Sequence, residues 1–226
     1  MYDLNGKIII VTGASAGIGL ATAKLLASKG AKIALVARSK DVLDELAKQL
    51  PDSFVSQADM SDPTSISKMV DDVKQHYGRI DVLVNNAGQG IYGAIENVDA
   101  EAYKRVIDLN VIGPLVAMQC VIPIMRAQGG GRIVNISSML SRMVIPQLGA
   151  YASTKYALNA LSLTARAELE KDNILVSIML PGLTATDFGK NSIKSDAAAQ
   201  SMQSRGRENM PEPDSADFVA GRILAS

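Results

Sequence analysis

Short runs rich in Val, Ile and Leu alternate with longer amphipathic segments, and this rhythm leaves few folds open. KIIIVTG (7–13), KIALVAR (32–38), SFVSQADM (53–60), IDVLVNNAG (80–88), GRIVNISS (131–138) and ILVSIMLPG (174–182) read as six strands. Helical patterns fill the intervals at 18–29, 40–50, 99–127 and 149–171, with a last one at 214–225. Another opens at Asp62-Pro63, a capping residue followed by proline at the first helical position. Pro114 and Pro123 predict kinks or breaks in the 99–127 segment. The strands show little polar alternation, as expected when both faces are covered. Repeated β–α order predicts an α/β fold, a doubly wound parallel sheet between two helical layers. No repeat or linker divides residues 1–226, so one domain is expected.

Several function classes are excluded by what the chain lacks. The 226 residues carry 23 basic and 23 acidic side chains, and no block of one sign stands out. A nucleic-acid or anionic-membrane partner usually needs a basic patch, so neither is expected. The apolar run at the N-terminus lacks a basic leader and is too short to span a bilayer. Cys120 is the only cysteine and cannot close an internal disulfide, which fits a reducing, cytoplasmic setting. The only histidine is His76, near the end of an amphipathic helix. A Ser-His-Asp triad or a multi-histidine metal site has nothing else to build on, and no metal is expected.

The first strand runs into TGASAGIG (12–19). Gly13 permits a tight turn, and Gly17 and Gly19 let backbone approach a pyrophosphate with no Cβ in the way. The following helix presents the positive end of its dipole to the phosphates. A glycine-rich turn is weak alone, but this one leaves a strand and opens a helix at the start of an α/β chain.

YASTK (151–155) supplies the other candidate chemistry. Tyr151 and Lys155 are four residues apart and share a helix face. A tyrosine hydroxyl titrates near 10, and a neighbouring ammonium favours the phenolate, so the pair is an arrangement for acid/base work. Alone it would usually be surface decoration. Beside a nucleotide turn the catalytic reading is the stronger.

TGASAGIG, NNAG (85–88), Tyr151-x-x-x-Lys155 and Pro181-Gly182 together resemble the short-chain dehydrogenase/reductase family in order and spacing, over residues 5 to about 190. The resemblance implies a Rossmann-type domain and hydride transfer between a nicotinamide and a carbonyl or alcohol. It implies cofactor contacts at Gly13, Ser15, Gly17, Ile18, Gly19, Asn86, Ala87, Gly88, Tyr151, Lys155, Pro181, Gly182 and Thr186. By the same resemblance Ser138, 13 residues before Tyr151, holds the substrate oxygen, with Ser137 its neighbour and competitor. Asn110 would support a water-linked proton route to Lys155. Asp59 would meet the adenine, unless it only caps its local turn.

Cofactor choice turns on the end of the second strand. The family's NAD-type acid is replaced by Ala37, followed by Arg38, whose fork of donors suits a 2′-phosphate. NADP(H) is therefore expected over NAD(H), against the alternative of a merely solvated arginine. Tyr92, Ser138, Met139, Met143 and Tyr151 are the candidate substrate residues. They lean apolar, which predicts a medium-sized carbonyl or alcohol. Residues 187–213 are polar and weakly periodic, either a lid over the site or a surface insertion. The resemblance also implies a homodimer or homotetramer, with dimer contacts through 99–127 and 149–171. Relatives add a further parallel strand after their last helix. None is visible here after 214–225, so either the sequence is shortened or the sheet edge is reduced, and tetramer contacts are in doubt. A rival reading is a non-catalytic NADP-binding sensor or scaffold of the same fold.

Overall fold

The computed structural model describes residues 3–195 and 212–225. Six parallel strands form one sheet: β1 (Ile8–Thr12), β2 (Lys32–Ala37), β3 (Phe54–Gln57), β4 (Val82–Asn85), β6 (Gly131–Ile136) and β7 (Ile174–Met179). Their order is β3-β2-β1-β4-β6-β7. The chain winds outward one way from β1, then restarts at β4 and winds the other way. Such a reversal opens a crevice at the carboxyl ends of the strands, between β1 and β4.

Every residue of β1 is buried, and the two helical layers explain why. Ile8 and Ile10 enter one core with Ile66, Val70 and Val73 of α3 (Pro63–Tyr77) and Ala117, Val121 and Met125 of α5 (Gly113–Ala127). Ile9 and Val11 enter the opposite core. There they meet Ala23 and Leu26 of α1 (Gly17–Ser28), Leu43 and Leu46 of α2 (Lys40–Ala47), and Val219 and Ile223 of α7 (Ala216–Leu224). Asp62 caps α3 as expected, its carboxylate accepting from the Thr64 amide at 2.9 Å, with Pro63 at the first position. Between the sheet and α6 (Gly149–Leu169) runs a buried polar chain. Asn85 Nδ2 donates to Asn135 Oδ1 at 2.9 Å, and Asn135 Nδ2 to Ser162 Oγ at 2.8 Å. It fixes the register of β4, β6 and α6 below the crevice, because a slip would leave these groups unpaired.

The structure departs from the sequence pattern in three places. The 99–127 segment is α4 (Ala100–Ile107), a π-helical turn (Asp108–Ile112) and then α5. Pro114 sits in the first turn of α5, and Pro123 lies inside that helix without ending it. The run Ala100–Ala127 is long and apolar enough by composition to cross a bilayer. Here Ala117, Met118, Val121 and Met125 pack on the sheet. A second ribbon, β5 (Ile91–Tyr92) with β8 (Ile193–Lys194), was not expected. Of the proposed lid, residues 196–211 lie outside the described residues, and the start of the segment is a short 3-10 turn (Asp187–Gly189) leading to β8.

Candidate active site

The glycine-rich turn is compressed against the end of β4. Gly13 and Gly17 have φ of +68° and +53°. A Cβ on Gly19 would lie 2.2 Å from the Gly13 carbonyl oxygen. Thr12 ties the turn to NNAG. Its hydroxyl donates to the Val84 carbonyl at 3.2 Å and accepts from the Asn86 and Ala87 amides at 2.9 and 3.0 Å. Asn86 returns Nδ2 to the Thr12 carbonyl at 2.9 Å. Helix α1 has Ala16 at its N-cap, with no side-chain cap and no acid in its first turn. Its free N–H groups and the bare glycine surface fit the phosphates of a dinucleotide. Ser15 and Ile18 flank this turn half-buried, Ile18 packing on the core. A Cβ on Gly17 would stand 3.1 Å from the Thr186 methyl, so the glycine admits Thr186 to the turn.

Pairing between β6 and β7 continues past their ends and assembles the next part. The Ser137 amide donates to Met179 O at 2.8 Å and the Met139 amide to Pro181 O at 2.9 Å. Pro181-Gly182 is thereby held alongside Ser138. Ser137 is buried and turns its hydroxyl to the Lys155 carbonyl at 3.3 Å. Ser138 instead lies within hydrogen-bonding reach of the Tyr151 side chain, where it favours the phenolate, and its Oγ accepts from the Leu140 amide at 3.2 Å.

Tyr151 and Lys155 are 5% and 4% exposed, far from a surface pair. Lys155 Nζ donates to the Ile136 carbonyl at 2.9 Å and lies 5.9 Å from the Tyr151 ring centroid, within cation–π range. Burial raises the Tyr151 pKa, the proximity of Tyr92 adds to that, and only the Ser138 hydrogen bond opposes it. Lys155 is pulled down to about 8 by burial. The expected lowering of Tyr151 by Lys155 is therefore not what this arrangement produces. Lys155 Nζ lies over the ring face, and desolvation is the largest influence on the hydroxyl.

A buried lysine with a depressed pKa weakens the fold most when both states are protonated. Below about 8 the full penalty applies, and it fades as pH rises toward the ordinary lysine value of 10.5. The Tm of the parent relative to Lys155→Met is expected to climb across that window, as thermal melts at stepped pH would show. A flat difference would contradict the buried, partner-poor ammonium.

Asn110 is fully buried in the π-helical turn. Its Oδ1 accepts from the Gln89 amide at 2.9 Å, and its Nδ2 donates to Gln89 O at 2.9 Å and Thr154 Oγ1 at 3.1 Å. The side chain clamps the segment after NNAG to α6. A Cβ on Gly88 would be 3.1 Å from Asn110 Oδ1 and 3.6 Å from Lys155 Nζ, so Gly88 brings these groups together.

The remaining candidates divide. Tyr92 is buried edge-on to Tyr151, with centroids 6.3 Å apart, and burial raises its pKa. Phe188, not singled out in the sequence, covers another side of the Tyr151 ring at 5.7 Å. Met139 is exposed next to Ser138. Met143 is 47% exposed, in a hollow with Val144, Ile145, Ala152 and Tyr156 on the outward side of α6. It does not join the cluster of Tyr92, Tyr151 and Phe188, and residues 142–146 around it are exposed. Arg38 is exposed after β2. Asp59 accepts from the Ser61 hydroxyl and amide at 2.7 and 2.9 Å. These bonds, aided by the Arg38 charge, hold its carboxyl below the usual range. The turn-capping role read as an alternative is thus occupied. Among the described residues no group of three His, Cys, Asp or Glu side chains could hold a metal.

The short chain dehydrogenase family profile matches residues 7–197. The chain belongs to that family. Like other short-chain dehydrogenases it is an oxidoreductase with a nicotinamide cofactor and a small-molecule substrate, and the glycine cradle and uncapped α1 fit that cofactor. It is 36% identical to a 3alpha-hydroxysteroid dehydrogenase of Mediterraneibacter gnavus over 82% of this chain and 76% of that one. It matches an alcohol dehydrogenase from Thermococcus sibiricus complexed with 5-hydroxy-NADP with a TM-score of 0.84 and 29% identity, over 98% of this chain and 90% of that one. A short-chain dehydrogenase from Burkholderia phymatum in complex with NAD shares the fold, with a TM-score of 0.92 at 23% identity, over 100% of this chain and 86% of that one.

Proposed function

We propose that this short-chain dehydrogenase is an NADP(H)-dependent carbonyl reductase or alcohol dehydrogenase in which Tyr151 exchanges the proton. The observation that carries this is Tyr151 itself: buried, hydrogen-bonded to Ser138, and seated over Lys155 at the crevice beside the glycine-rich turn. When bound, the nicotinamide supplies or takes up the hydride. In reduction, the raised pKa keeps Tyr151 protonated at neutral pH, so its hydroxyl can donate to the substrate oxygen. Ser138 Oγ–H holds that oxygen and stabilises its developing charge. Lys155, protonated at neutral pH, stabilises the tyrosinate left behind. Gly13, Ser15, Gly17, Ile18, Gly19, Asn86, Ala87, Gly88, Pro181, Gly182 and Thr186 would hold the cofactor.

The preference for NADP(H) rests on the end of β2, where Ala37 offers no carboxylate and exposed Arg38 offers a cation. The structural relatives include both NAD and NADP complexes. Arg38→Ala is expected to raise KM for NADPH by about 10- to 100-fold, the worth of a lost charge-assisted hydrogen bond. KM for NADH should hardly change, and equal loss for both cofactors would reject the assignment. NADPH absorbance over aldehydes, ketones and diketones tests the activity. Ring ketones come first, given the hydroxysteroid dehydrogenase relative and the aromatic wall of Tyr92 and Phe188. No consumption with any carbonyl, and no NADP reduction with the matching alcohols, would defeat the proposal.

A further inference from the structure

The geometry points to Tyr92 and Ser192 as positioning residues for Tyr151, joined in one hydrogen-bonded chain. This rests on the reading of Tyr151 as the proton-exchanging group. The Tyr92 hydroxyl and Ser192 Oγ converge on one point above Gly90, within reach of a hydrogen bond between them. Ser192 Oγ donates its proton to the Phe188 carbonyl at 2.8 Å. A serine has one proton to give, so in the neutral pair Tyr92 donates and Ser192 accepts. Both ends of this chain carry rings that press on Tyr151: Tyr92 edge-on at 6.3 Å and 75°, Phe188 tilted at 5.7 Å and 58°. Two segments about 100 residues apart, one after β4 and one after β7, thus grip one tyrosine from two sides.

The backbone around the chain is built to allow it. A Cβ on Gly90 would lie 2.4 Å from Ser192 Oγ and 2.9 Å from the Tyr92 hydroxyl. The two hydroxyls meet over a position that any side chain would fill. The Ile193 amide donates to Gly90 O at 2.9 Å, the Ser195 amide to Tyr92 O at 3.0 Å, and Gln89 Nε2 to Asn191 O at 2.9 Å. The β5–β8 ribbon therefore fixes the two segments in register before any side chain acts. Asn110 anchors the same stretch from below through both backbone groups of Gln89. What remains adjustable is the hydroxyl chain, and it sets how closely Phe188 and Tyr92 close on the Tyr151 ring.

Tyr92→Phe keeps the ring and removes the donor. Ser192→Ala removes the relay. Each variant is expected to lower kcat about tenfold, as small misplacements of a reacting group do, with KM for NADPH and Tm unchanged. The double variant should lose no more than either single one, because both break one chain. A readout independent of turnover is fluorine NMR of the full chain labelled with fluorotyrosine, with Tyr151 assigned through Tyr151→Phe. Both variants should shift the Tyr151 resonance. An active parent whose variants keep full kcat overturns the inference, and so does a Tyr151 resonance that neither variant moves. An inactive parent would instead fail the reductase reading, and the resonance alone would then decide the clamp.

Discussion

Tyr151→Phe is expected to lower kcat by roughly a thousandfold, the usual worth of a positioned general acid, while the folded protein and its cofactor affinity survive. Phenylalanine preserves the ring contacts to Tyr92 and Phe188 and the face over Lys155. Only the hydroxyl is lost, together with its hydrogen bond to Ser138. The stability cost should be within about 1 kcal/mol, since a neutral hydrogen bond contributes little net. Steady-state turnover and NADPH titration separate the two effects. Full turnover in Tyr151→Phe would remove the proton role. Loss of cofactor binding in step with turnover would make the tyrosine a structural element of the nucleotide site instead.

The second large effect is expected from Gly19→Ala. Alanine in a helix is normally about 1 kcal/mol better than glycine, so propensity favours the change. Sterics oppose it and prevail. The added methyl would lie 2.2 Å from the Gly13 carbonyl oxygen and 2.5 Å from Asn86 Nδ2, and the first of these is backbone that cannot rotate away. Overpacking of this kind costs roughly 1–3 kcal/mol or more. A drop in Tm of about 5 °C is expected, at roughly 2–4 °C per kcal/mol in a chain of this size. NADPH affinity should fall at least tenfold, because the turn must open and Asn86 must leave Thr12. Gly221→Ala in α7 is the matched control. A Cβ there meets nothing within 4 Å, so it should raise Tm. Melting curves of the two variants with opposite signs would establish that the cradle, not glycine content, sets the requirement. A stable, fully binding Gly19→Ala would show the turn to be pliant.

The two-sided burial of β1 was legible because its first four residues, IIIV (8–11), include no polar side chain to place, and only a sheet covered on both faces accepts that. The glycine cradle was legible from its position between a strand and a helix. The π-helical turn was not, since apolar residues run through 106–125 without a change of period. Two-residue strands such as β5 and β8 show no periodicity, and their pairing spans about 100 positions. Phe188 could have been noticed as one of three phenylalanines, isolated in a polar stretch. Ser192 gave no signal, because its role depends on the absence of a side chain at Gly90. The sign of the Tyr151 shift was misread for a similar reason. Spacing reveals that Lys155 is near but not how deeply both groups are buried, and burial decides the outcome.

The π-helical turn at Asp108–Ile112 acts as a gear between two helices that serve different clients. Its wide turn closes with the Gly113 amide bonded to the Asp108 carbonyl, five residues back. One residue corresponds to about 100° of rotation on an α-helix, and a π-turn absorbs one extra residue without turning the helix after it. Upstream, Ala102 and Val106 face the cluster around Tyr92 and Tyr151, while downstream Ala117 and Val121 face the sheet. Removing one residue from the turn would rotate these faces out of phase, so that one of the two contacts must be given up. Insertions and deletions here are therefore far less tolerable than exposed substitutions, and the length of this turn is as much a part of the site as the asparagine it carries.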